Sequence, residues 1–486
     1  MTVIPADSGP PPLLPDDAGS IARLGEAFAR QREAFGRDRA PGAGERRARL
    51  QALIGMLVAN RARISAAIAS DFGAHPAPAS DLIEVLGVIG RAHHALANLD
   101  EWMRPDERSV DPAVYGSAAA RMELQPKGVI GNIVPWNFPF DLSVGPLVDM
   151  LAAGNRVILK PSEYTPACGA LLSEMIAATF DPDLVTVVLG GIELARAFAA
   201  TPWDHLLYTG SPDIARQVMA AAAANLTPVT LELGGKCPAI ILPGAVTPAS
   251  VESVLGTKTV KNGQMCVSPD YCLVPRGEVE AFLTEARAFM DRVAPAYSRS
   301  DDCTGIISQR HFERLADMLV EVRERQARIV ELEDGGVADP VSRRMPMALV
   351  VDPPEDTALM REEIFGPILP VLAYDHIDDA IARVNAGERP LALYVFGEDL
   401  EAARRVLEAT TSGGAAINTC AAQSALPSLG FGGSGASGMG RHHGIEGFRE
   451  FSNQRGVVTR GTGDIFDHFY VPYGKAQALV GAVLGN

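Results

Sequence analysis

Two side chains near the middle of the chain could perform covalent chemistry together: the thiol of Cys266 and the carboxyl group of Glu232. Cys266 follows the turn-like sequence NGQM, where a thiol can be accessible. A catalytic thiol also needs a base or a positive environment to form a thiolate. Glu232 lies in the apolar run TLEL, where desolvation should raise its pKa towards the range of a useful base. A buried core thiol and a partly exposed edge-strand acid are the alternatives at this point.

The remaining cysteines and histidines indicate neither a disulfide framework nor a metal site. The six cysteines, at 168, 237, 266, 272, 303 and 420, form no CxxC pair, and they are too sparse for a disulfide scaffold. Cys272, in the apolar run YCLVP, is predicted to be a buried strand residue. His442 and His443 are adjacent in a glycine-rich stretch, and neither HExxH nor GxSxG is present. The sequence therefore predicts no metal ion and no Ser-His-Asp hydrolase.

Three other short segments carry polar groups at the ends of predicted strands. Asn137, in PWNFPF, could donate an amide hydrogen bond to an oxyanion, although an Asn in a Pro-rich loop more often caps that loop. Lys160 and Glu163 follow the run NRVIL and could hold ribose hydroxyls, or could form a solvated turn. Gly210 and Ser211 precede a predicted helix, as phosphate-binding turns do, but an ordinary helix N-cap has the same pattern.

Composition and charge limit the kind of protein this is. The chain has 486 residues, 47% of them apolar, and a net charge of −16, which argues against nucleic acid or an anionic membrane as the main partner. The Pro-rich first 15 or so residues lack a secretory signal pattern, and no run reaches the length of a membrane span. We therefore expect a cytoplasmic protein whose first residues are loose.

The secondary-structure elements that must position these groups are predicted to form two α/β lobes. Residues 20–102 have the apolar spacing of long helices, and residues 110–124 alternate as in a projecting hairpin. From Val129 onward, short β-runs alternate with helices, which predicts parallel βαβ units. A second alternating set begins near Ala239, and the glycine-rich segment 429–444 is predicted to be loop. The cleft between the lobes is the expected binding site.

Taken together, these segments resemble the NAD(P)-dependent aldehyde dehydrogenase superfamily. The matching blocks occur in the family's order over residues 20–460: PWNFP, KPSE, TGS, LELGGK, GQMC, EEIFGP and FGGSGASGMG. The segments RPLALYVFG and GMGRHHGIEGFREFS are most similar to the class-3 type and to bacterial coniferyl aldehyde dehydrogenases. The resemblance implies a Rossmann-like cofactor domain, a second α/β catalytic domain and a small β oligomerisation element.

The resemblance also implies a role for each group. Cys266 would be the nucleophile, Glu232 the base that activates water, and Asn137 the oxyanion donor. The product would be a carboxylic acid, formed from an aromatic aldehyde through a thiohemiacetal and a thioester. A medium-chain aliphatic aldehyde is the alternative substrate. The implied cofactor-binding residues are Trp136, Lys160, Glu163, Gly210, Ser211, Glu363 and Phe365.

The resemblance further implies the domain boundaries, the cofactor and the assembly. The cofactor domain would comprise residues 1–109 and 126–236, and the catalytic domain residues 237–420. Residues 110–125 and 455–474 would join subunits into a homodimer. Glu163 favours NAD over NADP, since an acid at that position disfavours a 2′-phosphate.

Three positions depart from the family's pattern. Ala215 replaces a second glycine near the pyrophosphate, Gly430 replaces a proline beside the substrate entrance, and Lys261 replaces a common Asn just before the nucleophile. None of them removes a catalytic group. Retention of Glu232 argues against a CoA-acylating relative, and retention of the thiol and the base argues against an inactive, cofactor-binding one.

Overall fold

The computed structural model describes residues 15–485, so most of the Pro-rich start that was predicted to be loose lies outside the described residues. The strands are β1 (Asp106–Arg108), β2 (Ala119–Pro126), β3 (Val129–Ile133), β4 (Arg156–Lys160), β5 (Val185–Val187), β6 (His205–Gly210), β7 (Val229–Leu233), β8 (Pro238–Ile241), β9 (Tyr271–Pro275), β10 (Arg328–Glu331), β11 (Ala348–Val351), β12 (Ile368–Tyr374), β13 (Ala392–Phe396), β14 (Gly414–Ile417), β15 (Gly438–Met439) and β16 (Ser452–Thr459).

The α-helices are α1 (Asp17–Arg37), α2 (Ala43–Phe72), α3 (Ala77–Ala79), α4 (Val88–Trp102), α5 (Pro112–Tyr115), α6 (Asp141–Ala152), α7 (Pro166–Thr179), α8 (Ile192–Ala200), α9 (Pro212–Ala223), α10 (Pro248–Thr259), α11 (Val279–Val293), α12 (Gln309–Glu324), α13 (Ala358–Arg361), α14 (Ile377–Ala386), α15 (Leu400–Glu408), α16 (Ala422–Ala425), α17 (Gly444–Glu450) and α18 (Gly474–Leu484). A π-helical segment, Ser80–Gly87, precedes α4, and a 3-10 turn, Val260–Gly263, follows α10.

The first lobe is built on a six-stranded sheet in the order β15-β7-β6-β3-β4-β5. Its strands are parallel except for β15, which pairs antiparallel with β7. The predicted βαβ units are confirmed here. Because β4 and β6 lie on opposite sides of β3, the strand order reverses at β3. Ligands of open α/β sheets bind at such a switch point, beyond the carboxyl ends of the strands.

Both faces of this sheet are buried, which explains why its strands read as continuous apolar runs. Along β4, Val157 and Leu159 enter the apolar cluster that holds Leu147 of α6 and Leu172 of α7. Ile158, between them, enters the opposite cluster with residues of α1 and α8. This alternation is the period of two expected for a strand.

The second lobe contains a seven-stranded sheet in the order β10-β11-β12-β9-β8-β13-β14, parallel except for β10. Its predicted strands are found, and β10 and β14 are additions that the sequence did not indicate. β10 is only half-buried, and β14 contains two alanines and a glycine, so neither has the apolar, β-branched composition of the others.

A third, antiparallel sheet has the order β1-β2-β16. Residues 110–124, predicted to be a hairpin, include the short α5 and most of β2, which pairs with β1 on one side and β16 on the other. The structure contains no partner chain, so the role of this sheet in joining subunits stays a prediction.

The glycine-rich segment predicted to be loop is not wholly loop. Its residues Gly438–Met439 form β15, with Gly438 opposite Glu232. A Cβ atom at Gly438 would overlap the Leu231 carbonyl oxygen, so glycine permits this close pairing. The end of the chain was expected to form short strand-like and tail segments, and this is wrong for Gly474–Leu484, which form α18.

One helix, α2, is long and apolar enough to span a membrane by length and composition alone, contrary to the expectation of no such run. One face of this helix, however, is buried in the first lobe, including Leu50, Leu57, Ile64 and Phe72, whereas Val58 is 60% exposed. This burial is what a core helix shows.

Candidate active site

A cavity of about 2030 Å³ is lined by both lobes. Residues after β3, β6 and β7 form one side, and the turn before β9 and the segment after α13 form the other. Among the residues predicted from the sequence, it brings together Cys266, Glu232, Asn137, Trp136, Gly210, Ser211, Glu363 and Phe365. Lys160 and Glu163 do not line it, although β4, which ends at Lys160, is the neighbour of β3.

A left-handed turn presents Cys266 to this cavity. Lys261, Asn262 and Gly263 have φ values of 48°, 54° and 78°. Any Cβ at Gly263 would overlap the carbonyl oxygen of Gly366, so this position requires glycine. The turn is held by Gln264, whose amide donates to the carbonyl oxygens of Lys261 (2.9 Å) and Gly305 (3.0 Å). Sequence analysis did not single out Gln264, although it lies within the GQMC block.

The Cys266 thiol is half-buried, and its pKa is raised. Burial is the main cause, and the charges of Glu363 and Glu232 add to it, whereas the backbone N–H groups of Cys266 and Val267 oppose it. A positive environment, one of the two ways of forming a thiolate, is therefore not the source of reactivity here. The thiol needs a base to remove its proton.

The other cysteines are confirmed as buried and free. Cys272 is fully buried in β9, and Cys237 donates through Sγ to the Cys266 carbonyl oxygen at 3.3 Å. No disulfide forms among the described residues, so the Cys266 thiol is available for chemistry.

Glu232 is a buried carboxyl group without a partner. Its strand, β7, lies between β6 and β15, and its side chain is 2% exposed, so the edge-strand alternative is wrong. Neither carboxyl oxygen has a hydrogen-bond partner among the described residues. Burial therefore raises the pKa of Glu232 well above 4.5, with the charge of Arg441 opposing the rise. When ionised, this group is a strong base in a dry site.

Asn137 lies in the loop between β3 and α6, at the switch point of the first sheet, and is 4% exposed. Its side-chain amide makes no hydrogen bond within residues 15–485, so its donors remain for a ligand. Trp136, beside it, packs edge-on against Phe365, with ring centroids 5.3 Å apart. This contact joins the loop of the first lobe to the second lobe across the cavity.

The turn between β6 and α9 has polar groups that could hold a phosphate. Ser211 is the N-cap of α9, yet its side chain makes no capping hydrogen bond. The hydroxyl of Thr209 is buried without a partner in the described part of the chain. Unused donors at the start of a 12-residue helix are well suited to bind phosphate.

The remaining predicted cofactor residues include Lys160 and Glu163 in the first lobe and Glu363 in the second. Lys160 is buried and pairs with Glu163 at 3.2 Å, at the end of β4. Glu363, from the second lobe, fills the space beside Gly234, where any Cβ would overlap its carboxylate. Burial, with the nearby charge of Asp270, raises the pKa of Glu363 to about 8.

Comparisons with known proteins agree with this geometry. Residues 17–457 match the aldehyde dehydrogenase family. The chain is 43% identical over 460 residues to the "Probable coniferyl aldehyde dehydrogenase" of Caulobacter vibrioides, which covers 93% of this chain and 95% of that protein. The chain belongs to the aldehyde dehydrogenase family. The resemblance read from the ordered blocks is confirmed, and the protein is an oxidoreductase.

Solved structures of other aldehyde dehydrogenases share the fold. The substrate-bound state of Staphylococcus aureus AldH matches with a TM-score of 0.88 and 31% identity, over 94% of this chain and 98% of that chain. A Mycobacterium tuberculosis aldehyde dehydrogenase complexed with NAD+ matches with a TM-score of 0.81 and 28% identity, over 93% and 92%. The α/β class with a Rossmann-like lobe is therefore confirmed.

Two of the three departures from the aldehyde dehydrogenase pattern have simple packing explanations. Ala215 is 1% exposed, and its methyl group packs under α9 in the apolar cluster of the first lobe. At Gly430, a Cβ would lie 2.7 Å from Cγ of Glu446, so a larger residue would require that side chain to move. The third departure, Lys261, is buried in an ion pair with Glu84, a residue that sequence analysis missed.

Proposed function

We propose that this aldehyde dehydrogenase oxidises an aromatic, coniferyl-type aldehyde to its carboxylic acid, with NAD+ as the hydride acceptor. One observation carries the proposal: a thiol and an unpartnered carboxyl group line the same cavity between a Rossmann-like lobe and a second lobe. The overall reaction is RCHO + NAD+ + H2O → RCOOH + NADH + H+.

The first step is addition of sulfur to the aldehyde carbon. An aldehyde hydrogen cannot leave as hydride from a planar carbon, so a nucleophile must first make that carbon tetrahedral. The Cys266 thiol gives its proton to the Glu232 carboxylate and forms the C–S bond. The carbonyl oxygen becomes an oxyanion that accepts hydrogen bonds from the Asn137 amide and the backbone N–H of Cys266.

The second half of the reaction releases the acid. When bound, the nicotinamide supplies a hydride acceptor, and loss of hydride from the tetrahedral carbon leaves a thioester on Cys266. Glu232, once it has released the thiol proton to solvent, removes a proton from water as the water oxygen bonds to the thioester carbon. The C–S bond then breaks, and sulfur leaves as the Cys266 thiolate, which recovers its proton from Glu232. A thioester suits this role because it remains hydrolysable.

The residues proposed to hold the cofactor act through position and charge. Ser211 and the first turn of α9 bind the pyrophosphate, Lys160 and Glu163 the adenosine ribose, and Glu363 with Phe365 the nicotinamide end. The Glu163 carboxylate would repel a 2′-phosphate, so we expect NAD+ to be preferred over NADP+.

The substrate class rests on the relative's name and on the walls of the cavity. The cavity that Cys266 lines also has apolar side chains in its walls, among them Leu86, Phe138, Leu142, Met265 and Phe431. These side chains suit an aromatic ring, and they also suit the medium-chain aliphatic aldehydes of the alternative.

The proposal is tested by following NADH absorbance with coniferaldehyde, benzaldehyde and hexanal, without coenzyme A. We expect the highest kcat/KM for coniferaldehyde and no turnover in Cys266→Ala. The matched control is Cys272→Ala, which removes a thiol six residues away that is buried in β9. Binding of NAD+ without turnover of any of these aldehydes would refute the proposal, and a higher kcat/KM for hexanal would favour the alternative substrate.

We also propose a cytoplasmic homodimer assembled through residues 110–125 and 455–474. The outer edge of β16 is not paired with another strand in the described part of the chain, so it can accept further β-pairing. Sedimentation of the purified protein as a monomer at micromolar concentration would contradict this assembly.

A further inference from the structure

The departure at Lys261 creates a buried ion pair next to the nucleophile. Lys261 Nζ lies 2.5 Å from Glu84 Oε1, and both side chains are fully buried. The same ammonium group donates a second hydrogen bond, of 2.6 Å, to the backbone carbonyl oxygen of Asn137. The cation therefore contacts the loop that carries the proposed oxyanion donor.

Glu84 binds the other end of the same loop. Its Oε2 accepts hydrogen bonds from the backbone N–H groups of Phe140 (2.9 Å) and Asp141 (2.8 Å), where α6 begins. A carboxylate is favoured at a helix N-terminus because the N–H groups there have no partners within the helix. One ion pair thus holds both ends of residues 137–141.

Aromatic rings enclose the ammonium group and limit its positions. Lys261 Nζ lies 4.3 Å from the centroid of the Phe138 ring and 4.9 Å from that of Phe72. Phe138 belongs to the oxyanion loop itself. The ammonium group thus contacts this loop through a carbonyl oxygen, through a ring and, by way of Glu84, through two N–H groups.

The backbone of Lys261 is held in place by the turn that leads to the nucleophile. Its carbonyl oxygen accepts from the Gln264 amide, and Lys261 itself begins the left-handed turn that ends at Cys266. Lys261 is therefore a single residue whose main chain belongs to the nucleophile turn and whose side chain holds the oxyanion loop.

We propose that Lys261 is a positioning residue, which with Glu84 sets the place of the Asn137 amide relative to the Cys266 sulfur. The proposal rests on the proposed function, in which Asn137 stabilises the oxyanion. A displacement of about 1 Å in such a donor can reduce the rate by about 10²-fold. Lys261 does not line the cavity, so we expect its effect on the rate to pass through Asn137.

The test is a double-mutant cycle read by the single-turnover rate of NADH formation from coniferaldehyde. We expect Lys261→Met to lower this rate about 10- to 100-fold, and Asn137→Ala to lower it about 10²- to 10³-fold. Combined, the two substitutions should cost no more than Asn137→Ala alone, because the donor that Lys261 positions is then absent. The rate of Cys266 alkylation by iodoacetamide should change less than about twofold in Lys261→Met, because the thiol is still presented by its turn.

Two further variants separate positioning from stability. Glu84→Gln combined with Lys261→Met replaces the ion pair by neutral groups and should recover much of the thermal stability without recovering the rate. Arg46→Met is the matched control, since Arg46 is also a buried cation of the first lobe, and it donates to the carbonyl oxygens of Pro41 and Ala152. It should lower the unfolding temperature and leave the single-turnover rate of the folded protein unchanged.

The outcomes are distinct. If Lys261→Met lowers the rate as much in the Asn137→Ala protein as in the wild type, the positioning role is overturned while the proposed reaction stands. If Asn137→Ala retains the wild-type rate, Asn137 is not the oxyanion donor. The proposed mechanism then lacks stabilisation of the oxyanion by this side chain. Recovery of the full rate by Glu84→Gln with Lys261→Met would likewise overturn the positioning role.

Discussion

Two regions of the first lobe each contain a buried glutamate, and the two glutamates differ in their hydrogen bonding. Glu84, in the π-helical segment, uses both carboxylate oxygens, one with Lys261 and the other with two backbone N–H groups. Glu232, in β7, uses neither. Their exposures are nearly the same, 0% and 2%, so burial alone does not distinguish them.

This difference in hydrogen bonding suggests a structural role for Glu84 and a chemical role for Glu232. Buried polar groups are nearly always hydrogen-bonded, so an unpartnered carboxyl group inside a cavity is an exception that needs a reason. A carboxylate that acts as a base needs an oxygen atom that is free to accept a proton. An oxygen that already accepts a hydrogen bond from the protein is not free in this sense. We therefore assign chemistry to Glu232 and positioning to Glu84.

The largest expected effect comes from Glu232→Gln, which removes the base. We expect steady-state turnover to fall by about 10²- to 10⁴-fold. A single turnover of NADH followed by accumulation of the acylated protein would show that hydrolysis of the thioester is the blocked step. Mass spectrometry of the intact protein detects the acyl group on Cys266.

One result would contradict this assignment: turnover of Glu232→Gln at the wild-type rate would remove Glu232 from the mechanism. Loss of NADH formation even in the first turnover would instead show that the step most dependent on Glu232 is removal of the thiol proton.

The next largest effect is on stability, and it should appear at the other glutamate. Glu84→Gln leaves the Lys261 ammonium group buried without its counter-ion, and breaking such a pair costs about 3–5 kcal/mol. Glu232→Gln should not lower the free energy of unfolding, because no hydrogen bond is lost. Urea denaturation of the two variants at pH 7 measures both values, and equal destabilisation would remove the contrast between the two sites.

A third test uses pH. Burial raises the pKa of Glu232 in the folded state above 4.5, its value in the unfolded chain, so the folded protein binds more protons between these two pKa values. This residue's contribution to stability is therefore greatest below pH 4.5 and is lost as the pH rises through the raised pKa. The free energy of unfolding of Glu232→Gln should exceed that of the wild type increasingly with rising pH.

The rate of the reaction should rise with pH, whereas the contribution of Glu232 to the free energy of unfolding falls with pH. The rate of thioester hydrolysis rises with pH as Glu232 ionises and becomes a base. A hydrolysis rate that is flat from pH 5 to pH 9, measured by stopped flow from a preformed acylated protein, would contradict an ionising base with a raised pKa.

The smallest effect is expected at a third carboxylate, Glu163, which is paired and partly exposed, with 38% of its side chain accessible. Glu163→Gln should leave kcat with NAD+ within about twofold and raise the preference for NADP+ by about tenfold, which corresponds to about 1.4 kcal/mol. Values of kcat/KM for the two cofactors measure this. An unchanged ratio would mean that Glu163 does not face the 2′ position.

Much of the fold and most of the candidate reacting groups that line the cavity were indicated by local patterns. The parallel strands β3, β4, β6 and β7 are continuous apolar runs because both faces of their sheet are buried. The Cys266 turn was recognisable because its sequence, NGQM, contains the glycine that the close approach to Gly366 requires. Elements with weaker patterns, such as β10 and β14, were missed because their composition does not distinguish them from loop.

Glu84 could not have been found in this way. A glutamate in a helical segment has the pattern of a solvated face, and its partner Lys261 lies 177 residues further along the chain. Lys261 was visible only as an unexplained departure from a family pattern. Nothing in either local sequence indicates burial of a charge.

The sequence by itself determined the chemical groups: a thiol, a carboxyl group in an apolar strand, an amide in a rigid loop, and the helix start that suits a phosphate. The tertiary structure alone decided how each group is used. Whether a buried carboxylate is satisfied depends on donors that the fold brings from distant segments, and no local pattern encodes those distances. For that reason Glu232 and Glu84, the same residue type at nearly the same burial, differ in hydrogen bonding and in the roles that we propose for them.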